Sequence, residues 1–233
     1  MCALNSQTIT LRELAKTIDL ALLKPEMTET DILAGCEQAK AYHLAAVSVK
    51  PCYLPLVVAE LAGSGVAAGT VVGFPHGNDT TPIKVAQARE AVAHAAVELD
   101  MVINVGQLRS GHCDYVQDEI RAVVQAAAGK AILKVILENV YLTREQIVLG
   151  CQMAEAAGAD FVKTSSGFSP GGAVLEDVRL MRASVGPRVQ VKAAGGIRTL
   201  DALLAVIDAG ATRAGASAAI HLLDEFKRRY PGR

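Results

Sequence analysis

The sequence predicts an α/β protein built as a (β/α)8 TIM barrel with a short N-terminal helix, and three observations support this prediction. The chain has 233 residues, and such barrels typically have about 250. Strand and helix patterns alternate through eight units that average about 29 residues each. The strand patterns are nearly continuous apolar runs, as expected when both faces of a parallel sheet are covered. We therefore expect one barrel domain that spans residues 1–233.

The boundaries of the elements follow from local signals. Thr28, followed by Asp31, resembles a capping box, and Thr81 is followed by Pro82 at the first position of a helix. After an opening helix at 10–16, the predicted strands are 18–22, 45–49, 67–74, 97–103, 131–137, the start of 160–167, 188–193 and 212–215. The predicted helices that follow them are 28–43, 54–62, 81–95, 114–128, 143–158, 175–184, 199–210 and 217–229.

A doubly wound open sheet is the alternative fold for a chain that alternates strands and helices. Such a sheet is expected to carry a strand, a Gly-x-Gly-x-x-Gly turn and a helix near its start. The sequence contains no such unit there, so the barrel is favoured.

Composition and charge argue against several classes of protein. Hydrophobic residues make up 51% of the chain and charged residues 20%, which is enough to bury a large core. The formal net charge of −1 provides no basic excess to neutralise phosphates, so a nucleic-acid partner is not expected. The longest uncharged run, 61–78, contains five glycines and one proline, so we do not expect it to span a membrane.

The cysteines and histidines indicate a cytoplasmic protein without a metal or other cofactor. The five cysteines form no Cys-x-x-Cys pair, as is typical of reduced thiols; they are Cys2, Cys36, Cys52, Cys113 and Cys151. The N-terminus lacks the basic-then-apolar pattern of a signal peptide. The five histidines are scattered and form no ligand-spaced pair.

The candidate catalytic residues are lysines in the middle of strands. Lys134, Lys163 and Lys192 lie in three successive predicted strands at equal intervals of 29 residues. An ammonium group among buried apolar neighbours costs several kcal/mol unless it is paired or discharged, so a single strand lysine most often belongs to a salt bridge. Three of them, one structural unit apart, favour a functional site. Asp100 in the fourth strand adds a carboxylate at the same end of the barrel.

A lysine that attacks a carbonyl group must be neutral. With a pKa near 10.4, a free lysine is neutral about once in 2,500 molecules at pH 7, and lowering the pKa to about 7 corresponds to about 4–5 kcal/mol. A second ammonium about 4 Å away supplies roughly 4 kcal/mol of this at an effective dielectric constant of about 20. Lys163 and Lys192, on adjacent strands, can form such a pair. Asp100 can transfer a proton, hold a water molecule or serve only as a structural partner of a lysine.

Two loops that contain glycine predict a phosphate site. The C-terminal ends of the strands form the active site of a (β/α)8 barrel, and the loops after strands seven and eight often bind phosphate. Gly195, Gly196 and Arg198 follow strand seven, while Gly215 and Ser217 follow strand eight and lead into the last helix. Glycines let the backbone approach an anion, and a helix N-terminus provides N–H groups. A phosphorylated substrate is therefore expected.

Four motifs resemble the deoxyribose-phosphate aldolases, a family of class I aldolases that form imines. They are Phe161-Val-Lys-Thr-Ser-Ser-Gly-Phe-Ser, Val191-Lys-Ala-Ala-Gly-Gly-Ile-Arg, Leu99-Asp-Met-Val-Ile-Asn and Gly73-Phe-Pro-His-Gly. The similarity runs from about 18 to 223. The resemblance implies a lyase of deoxyribose catabolism that reversibly cleaves 2-deoxy-D-ribose 5-phosphate to D-glyceraldehyde 3-phosphate and acetaldehyde.

The resemblance also implies a role for each matching residue. Lys163 would be the Schiff-base lysine, Lys192 the neighbour that lowers its pKa, and Asp100 the proton-relay carboxylate. Asp19 would lie near the substrate hydroxyls, and the phosphate-loop positions would be Gly167, Gly195, Gly196, Arg198, Gly215 and Ser217. The partners would be a phosphorylated sugar and acetaldehyde, with no cofactor, no nucleic acid and no membrane. We also expect a homo-oligomer, either a dimer or a tetramer.

Several positions depart from the family pattern. The first strand usually reads Asp-His-Thr-Leu-Leu-Lys-Pro, and this chain has Leu20 and Ala21 in place of the histidine and the threonine. Ala218 replaces the second of two serines after strand eight, and Ser166 stands where threonine is common. Some members bring a tyrosine of the C-terminal tail into the site, a role open to Tyr230.

Two other functions stay open. One is a related imine-forming aldolase that acts on another phosphorylated sugar. The other is a barrel that binds sugar phosphates without catalysis. Lys163, Lys192 and Asp100 argue against the second, because a binding protein has no use for a discharged lysine.

Overall fold

Eight parallel strands form a closed barrel in the computed structural model, which describes residues 4–233. Each strand pairs with the next one in the chain, and the last pairs with the first. The strands are β1 Ile18–Leu22, β2 Ala46–Val49, β3 Ala67–Val72, β4 Glu98–Val102, β5 Ile132–Ile136, β6 Phe161–Lys163, β7 Gln190–Ala194 and β8 Arg213–Ala216. The predicted fold class is confirmed, and Cys2 lies outside the described residues.

Helices follow the strands and pack against the outer surface of the barrel. They are α1 Leu11–Ala15, α2 Glu29–Ala41, α3 Leu54–Leu61, α4 Thr81–Ala93, α5 Val105–Arg109, α6 Cys113–Ala127, α7 Arg144–Ala157, α8 Leu175–Ser184, α9 Leu200–Asp208 and α10 Ala219–Arg229. Within the described chain, every helix is too short or too polar to cross a lipid bilayer.

The strands alternate between an apolar outer face and a polar inner face. Leu99 and Met101 on β4 are fully buried among the apolar residues of the core, whereas Glu98 and Asp100 on the same strand contact lysines inside the barrel. Successive side chains of a strand point to opposite faces, so one strand supplies both the hydrophobic layer beneath the helices and the charged interior. The barrel thereby places several buried charges on one axis.

The structure differs from the sequence prediction at some element ends. The helix α5 was not predicted, because five residues are too few to show an apolar period; Asn104 begins it by accepting a hydrogen bond from the Gln107 backbone N–H. Strand β3 ends at Val72, two residues before the predicted end, since Gly73 has a φ of 61° that leaves the extended conformation. The last helix begins at Ala219, two residues later than predicted.

A buried ion pair lies outside the barrel, between α4 and α6. Lys84 Nζ is 2.8 Å from Glu119 Oε2 and donates a hydrogen bond of 2.9 Å to the carbonyl of Val102 at the end of β4. Neither side chain of the pair is exposed. Burial lowers the pKa of Lys84 and raises the pKa of Glu119, while their mutual attraction opposes both changes. The pair connects two helices to the strand that carries Asp100.

Candidate active site

Seven charged side chains meet inside the barrel, and we call them the inner cluster. They are the carboxylates Asp19, Glu98 and Asp100 and the cations Lys134, Lys163, Lys192 and Arg213. Every member except Arg213 is buried, and the Arg213 side chain is 15% exposed. If all seven were ionised, four cations would face three carboxylates, and the cluster would hold one excess positive charge.

Lys134 is the lysine with the most carboxylate partners. Its Nζ is 2.5 Å from Glu98 Oε2, 3.0 Å from Asp100 Oδ1 and 3.3 Å from Asp19 Oδ2. Burial would lower the pKa of Lys134, but these three carboxylates together raise it far above its ordinary range. Lys134 therefore stays charged and serves as a structural partner of the carboxylates.

Lys163 has fewer carboxylate partners than any other cation of the inner cluster. The only carboxylate within ion-pair distance in the described chain is Asp100, whose Oδ2 is 2.8 Å from Lys163 Nζ. The same oxygen accepts a hydrogen bond of 2.7 Å from Lys192, which is in register with Lys163 on the neighbouring strand. Burial lowers the pKa of Lys163 to about 8; Asp100 opposes this shift and Lys192 adds to it. The prediction that Lys192 contributes most was wrong, because burial has the larger effect.

The two aspartates of the cluster remain ionised. Burial would raise the pKa of Asp100, but Lys134, Lys163 and Lys192 hold it well below its ordinary range. Burial acts on Asp19 in the same way, and the nearby cations lower the pKa of that carboxyl group as well. Both carboxylates can therefore accept hydrogen bonds from several ammonium groups at neutral pH.

A cavity of about 320 Å³ opens at the C-terminal ends of the strands. Asp19, Lys163 and Lys192 line its floor. The predicted phosphate-loop residues line it too: Gly167, Gly195, Gly196, Arg198, Gly215 and Ser217. Asp100 is not part of the lining, because it lies beneath the two lysines and accepts a hydrogen bond from each of them.

The loops at the rim of the cavity hold each other in place. Gly167, Gly195 and Gly196 have φ angles of 90°, 86° and 76°, which glycine adopts without strain. The Ala173 backbone N–H donates a hydrogen bond of 2.9 Å to the carbonyl of Gly195. A Cβ atom on Gly195 would lie 2.9 Å from the Gly172 Cα atom, so this approach requires glycine. The loop after β6 and the loop after β7 thus form one wall of the cavity.

Sequence reasoning missed some of the residues that shape the site. Glu98 and Arg213 belong to the inner cluster, and their positions gave a signal: Glu98 lies two residues before Asp100 and so faces the same side of β4. Glu138 gave no such signal. It adopts a φ of 57°, and its carboxylate accepts hydrogen bonds of 3.1 and 3.2 Å from the Ser166 backbone N–H, which fixes the loop after Lys163.

Tyr230 does not line the cavity. Its ring packs 4.9 Å from the ring of Phe226, and the guanidinium of Arg233 lies 4.6 Å from its centroid. Arg233 also donates hydrogen bonds to the carbonyls of Ser6 and Ile9, close to the first helix. Tyr230 is therefore part of the packing at the N-terminal end of the barrel.

Comparisons with known proteins agree with this architecture. The family described as "DeoC/LacD family aldolase" matches residues 14–228. The chain belongs to this aldolase family. It is therefore an enzyme of the lyase class. Among DeoC/LacD relatives, the deoxyribose-phosphate aldolase of Clostridium novyi (strain NT) is 52% identical over 219 residues, which cover 94% of this chain and 99% of that protein. The deoxyribose-phosphate aldolase of Bacillus cytotoxicus is 49% identical over 210 residues, covering 90% and 94%.

Solved structures show the same fold. The tetrameric deoxyribose phosphate aldolase from Aeropyrum pernix superposes with a TM-score of 0.87 at 31% identity, covering 94% of this chain and 92% of that one. An aldolase called QR15 gives a TM-score of 0.88 at 39% identity, covering 93% and 97%. The chain thus shares its barrel fold with solved aldolases.

Proposed function

We propose that this aldolase reversibly cleaves 2-deoxy-D-ribose 5-phosphate to D-glyceraldehyde 3-phosphate and acetaldehyde through an imine on Lys163. The observation that carries the proposal is the environment of Lys163. Its Nζ lies at the floor of the cavity, shares one carboxylate with Lys192, and has a pKa lowered to about 8. About one Lys163 side chain in ten would then be neutral at pH 7. The names of the similar curated proteins support the choice of substrate.

The proposed reaction begins with attack of Lys163 Nζ on the C1 aldehyde, followed by loss of water to form a protonated imine. The C3 hydroxyl then gives up its proton, the C2–C3 bond breaks, and its electron pair moves to the imine to form an enamine. C3 becomes the aldehyde carbon of D-glyceraldehyde 3-phosphate. Protonation of C2 and addition of water release acetaldehyde and restore Lys163.

Lys192 and Asp100 would control the protons of this reaction. The ammonium of Lys192 repels a charge on Lys163 and so favours the neutral amine. Asp100 accepts hydrogen bonds from both lysines, and its low pKa suits a group that passes a proton on rather than one that retains it. We assign Asp100 the role of proton relay and Asp19 that of holding Lys192 at the floor of the cavity, with Arg213 as a further partner of the Asp19 carboxylate.

The rim of the cavity would bind the phosphate group. Gly195 and Gly196 expose backbone at the end of β7, and Arg198 supplies a positive charge beside them. Gly215 and Ser217 contribute the neighbouring loop, where Ser217 is the one hydroxyl of the Ser217–Ala218 pair. An anion placed there lies between backbone N–H groups and a guanidinium.

We also propose that the enzyme acts in deoxyribose catabolism in the cytoplasm as a homo-oligomer. The cysteines of the described chain form no disulfide bond, which fits a reducing compartment; they are Cys36, Cys52, Cys113 and Cys151. The relative from Aeropyrum pernix is described as tetrameric, and this supports an assembly of several copies.

The proposal is tested by trapping the imine. The protein is incubated with acetaldehyde and borohydride, and peptide mapping is expected to find one reduced two-carbon group on Lys163. In parallel, acetaldehyde release from 2-deoxy-D-ribose 5-phosphate is measured, with unphosphorylated deoxyribose as the control that is cleaved far more slowly. An adduct on Lys134 or Lys192 instead would contradict the assignment of the nucleophile.

The two alternative functions give different results in the same experiment. An adduct on Lys163 without cleavage of 2-deoxy-D-ribose 5-phosphate would indicate an aldolase for another phosphorylated sugar. Absence of any adduct, together with tight binding of the sugar phosphate, would indicate a binding protein.

A further inference from the structure

The wall of the cavity contains a buried hydroxyl group that has no partner in the described chain. Ser48 lies on β2 and is 5% exposed, it is one of the residues that line the cavity, and its Oγ forms no hydrogen bond. Buried polar atoms are nearly always paired, and an unpaired one calls for an explanation. At the wall of a ligand cavity, that explanation is a partner on the ligand.

The position of Ser48 places this hydroxyl opposite the catalytic lysines. Ser48 is in register with Ala21, which lies on the inner face of β1 two residues beyond Asp19. It therefore lies one inward layer nearer the mouth of the cavity than Asp19. Strand β2 is four strands away from β6 in the eight-stranded barrel, so Ser48 faces Lys163 across the cavity.

Asp19, which also lines the cavity, already has three cationic partners. Its Oδ1 accepts a hydrogen bond from Arg213. Its Oδ2 accepts one from Lys192 and lies 3.3 Å from Lys134 Nζ. Both oxygens of Asp19 thus already have cationic partners, whereas Ser48 Oγ has no partner in the described chain.

We infer that Ser48 Oγ hydrogen-bonds the C4 hydroxyl of bound 2-deoxy-D-ribose 5-phosphate and thereby selects acceptor aldehydes that carry this hydroxyl. The inference rests on the proposed function. C1 must reach Lys163, the C3 oxygen must reach the proton relay beside Lys192 and Asp100, and the phosphate on C5 must reach the loops after β7 and β8. The C4 hydroxyl is the remaining polar group of the sugar, and Ser48 is a cavity-lining residue whose buried hydroxyl has no partner in the described chain.

Ala21 and Ser48 are in register on adjacent strands and both line the cavity. A hydroxyl introduced at position 21 would therefore lie in the same layer of the barrel as that of Ser48.

The test compares two acceptors in the synthetic direction, with acetaldehyde as the donor. One acceptor is D-glyceraldehyde 3-phosphate, and the other is 3-phosphooxypropanal, which has hydrogen in place of the hydroxyl that becomes C4–OH. Ser48→Ala is expected to lower kcat/KM for the first about five- to tenfold, the effect of one neutral hydrogen bond. For the second acceptor, kcat/KM is expected to change by less than about twofold, since this aldehyde has no hydroxyl that could contact Ser48. Equal losses on both acceptors, or no loss on either, would overturn the inference.

Two further variants separate recognition from packing. Thr212→Val removes another buried hydroxyl that has no partner, and Thr212 does not line the cavity. This variant is expected to leave kcat/KM unchanged for both acceptors. Ala21→Thr in the Ser48→Ala protein is expected to restore most of the preference for D-glyceraldehyde 3-phosphate. A preference that stays lost in the double variant would overturn the claim that a hydroxyl in this layer is what the enzyme uses.

The same assay distinguishes this inference from the proposed function. A parent enzyme that joins acetaldehyde to neither acceptor would overturn both. A parent active on both acceptors, with a Ser48→Ala variant that changes kcat/KM for both acceptors equally or for neither, would overturn only the role of Ser48. The thermal midpoint of Ser48→Ala is expected to equal or exceed that of the parent, because removing an unpaired buried hydroxyl leaves no partner unsatisfied.

Discussion

Two regions of this barrel bury a lysine, and the comparison shows what separates a structural charge from a reactive one. Lys84 lies between α4 and α6 and has Glu119 as a carboxylate partner and the carbonyl of Val102 as a second acceptor. Lys163 lies inside the barrel and has one carboxylate partner, Asp100, which it shares with two other lysines. Burial lowers the pKa of both amines. A lowered pKa alone therefore does not identify the functional lysine.

The difference lies in charge balance and access. The Lys84–Glu119 pair has one charge of each sign and no exposure. The inner cluster has one cation more than it has carboxylates, and Lys163 is the cation with the fewest carboxylate partners and lines the cavity. When Lys163 loses its proton, the inner cluster loses its excess positive charge, and the neutral amine lies at the cavity that would hold the substrate carbonyl. Four predictions test this distinction.

The largest effect is expected from Lys163→Leu. Imine trapping with acetaldehyde and borohydride should fall by at least about 10⁴-fold, because the nucleophile itself is lost. The free energy of unfolding, measured by denaturant titration, should change by less than about 1 kcal/mol or increase, since Asp100 keeps Lys134 and Lys192 as partners and the inner cluster loses its excess positive charge.

Lys84→Leu is the matched control, and its pattern should be the reverse. It leaves Glu119 buried without its cation, and the free energy of unfolding should fall by about 3–5 kcal/mol. The folded protein should still form the imine on Lys163. A Lys163→Leu variant that lost as much stability as Lys84→Leu would contradict the distinction between the two regions.

Asp100→Asn should have the next largest effect. Proton exchange at the methyl group of acetaldehyde should slow by about 10²–10⁴-fold, because the relay carboxylate is lost. Imine trapping should persist, and its pH midpoint should move below that of the parent, since Lys163 loses the carboxylate that favours its charged form. NMR in deuterated buffer measures the exchange. An exchange rate equal to that of the parent would assign Asp100 to structure alone.

Lys192→Leu should shift the same midpoint in the opposite direction. Removing the neighbouring ammonium lets the pKa of Lys163 rise from about 8, and a rise of one to two pKa units corresponds to a loss of about ten- to a hundredfold in neutral amine at pH 7. Alkaline buffer should restore imine trapping, because the amine loses its proton there without help. The measurement is the pH profile of trapping. A midpoint unchanged from the parent would contradict the role of Lys192.

Much of the fold and the site could be predicted from sequence, because the signals that mark them are local. The alternation of strand and helix patterns predicted the barrel. Lys163, Lys192 and Asp100 were identified because charged residues are rare in apolar strands. The strength of each pairing could not be predicted. It depends on which side chains meet across the barrel, such as Asp19 with Lys192, 173 residues apart in the chain.

Some residues carry no signal that a single sequence can show. Glu138 lies after a strand and looks like an ordinary loop residue, yet its carboxylate fixes the loop after Lys163. Helix α5 is too short to show a periodic pattern. Helix α10 follows Ala218, whose side chain makes no capping hydrogen bond, so no capping signal in the sequence marks the start of that helix.

The pairing of β5, β6 and β7 has a consequence for the three equally spaced lysines. Lys163 is in register with Lys192 on one side but with Ile136, not Lys134, on the other. Lys134 is therefore set back by two residues along the barrel axis, toward the N-terminal ends of the strands. Closing a sheet into a barrel requires such a stagger between strands. The same stagger thus separates three lysines that are equally spaced in the sequence. Lys134 lies deep in the barrel among the carboxylates, whereas Lys163 and Lys192 line the cavity.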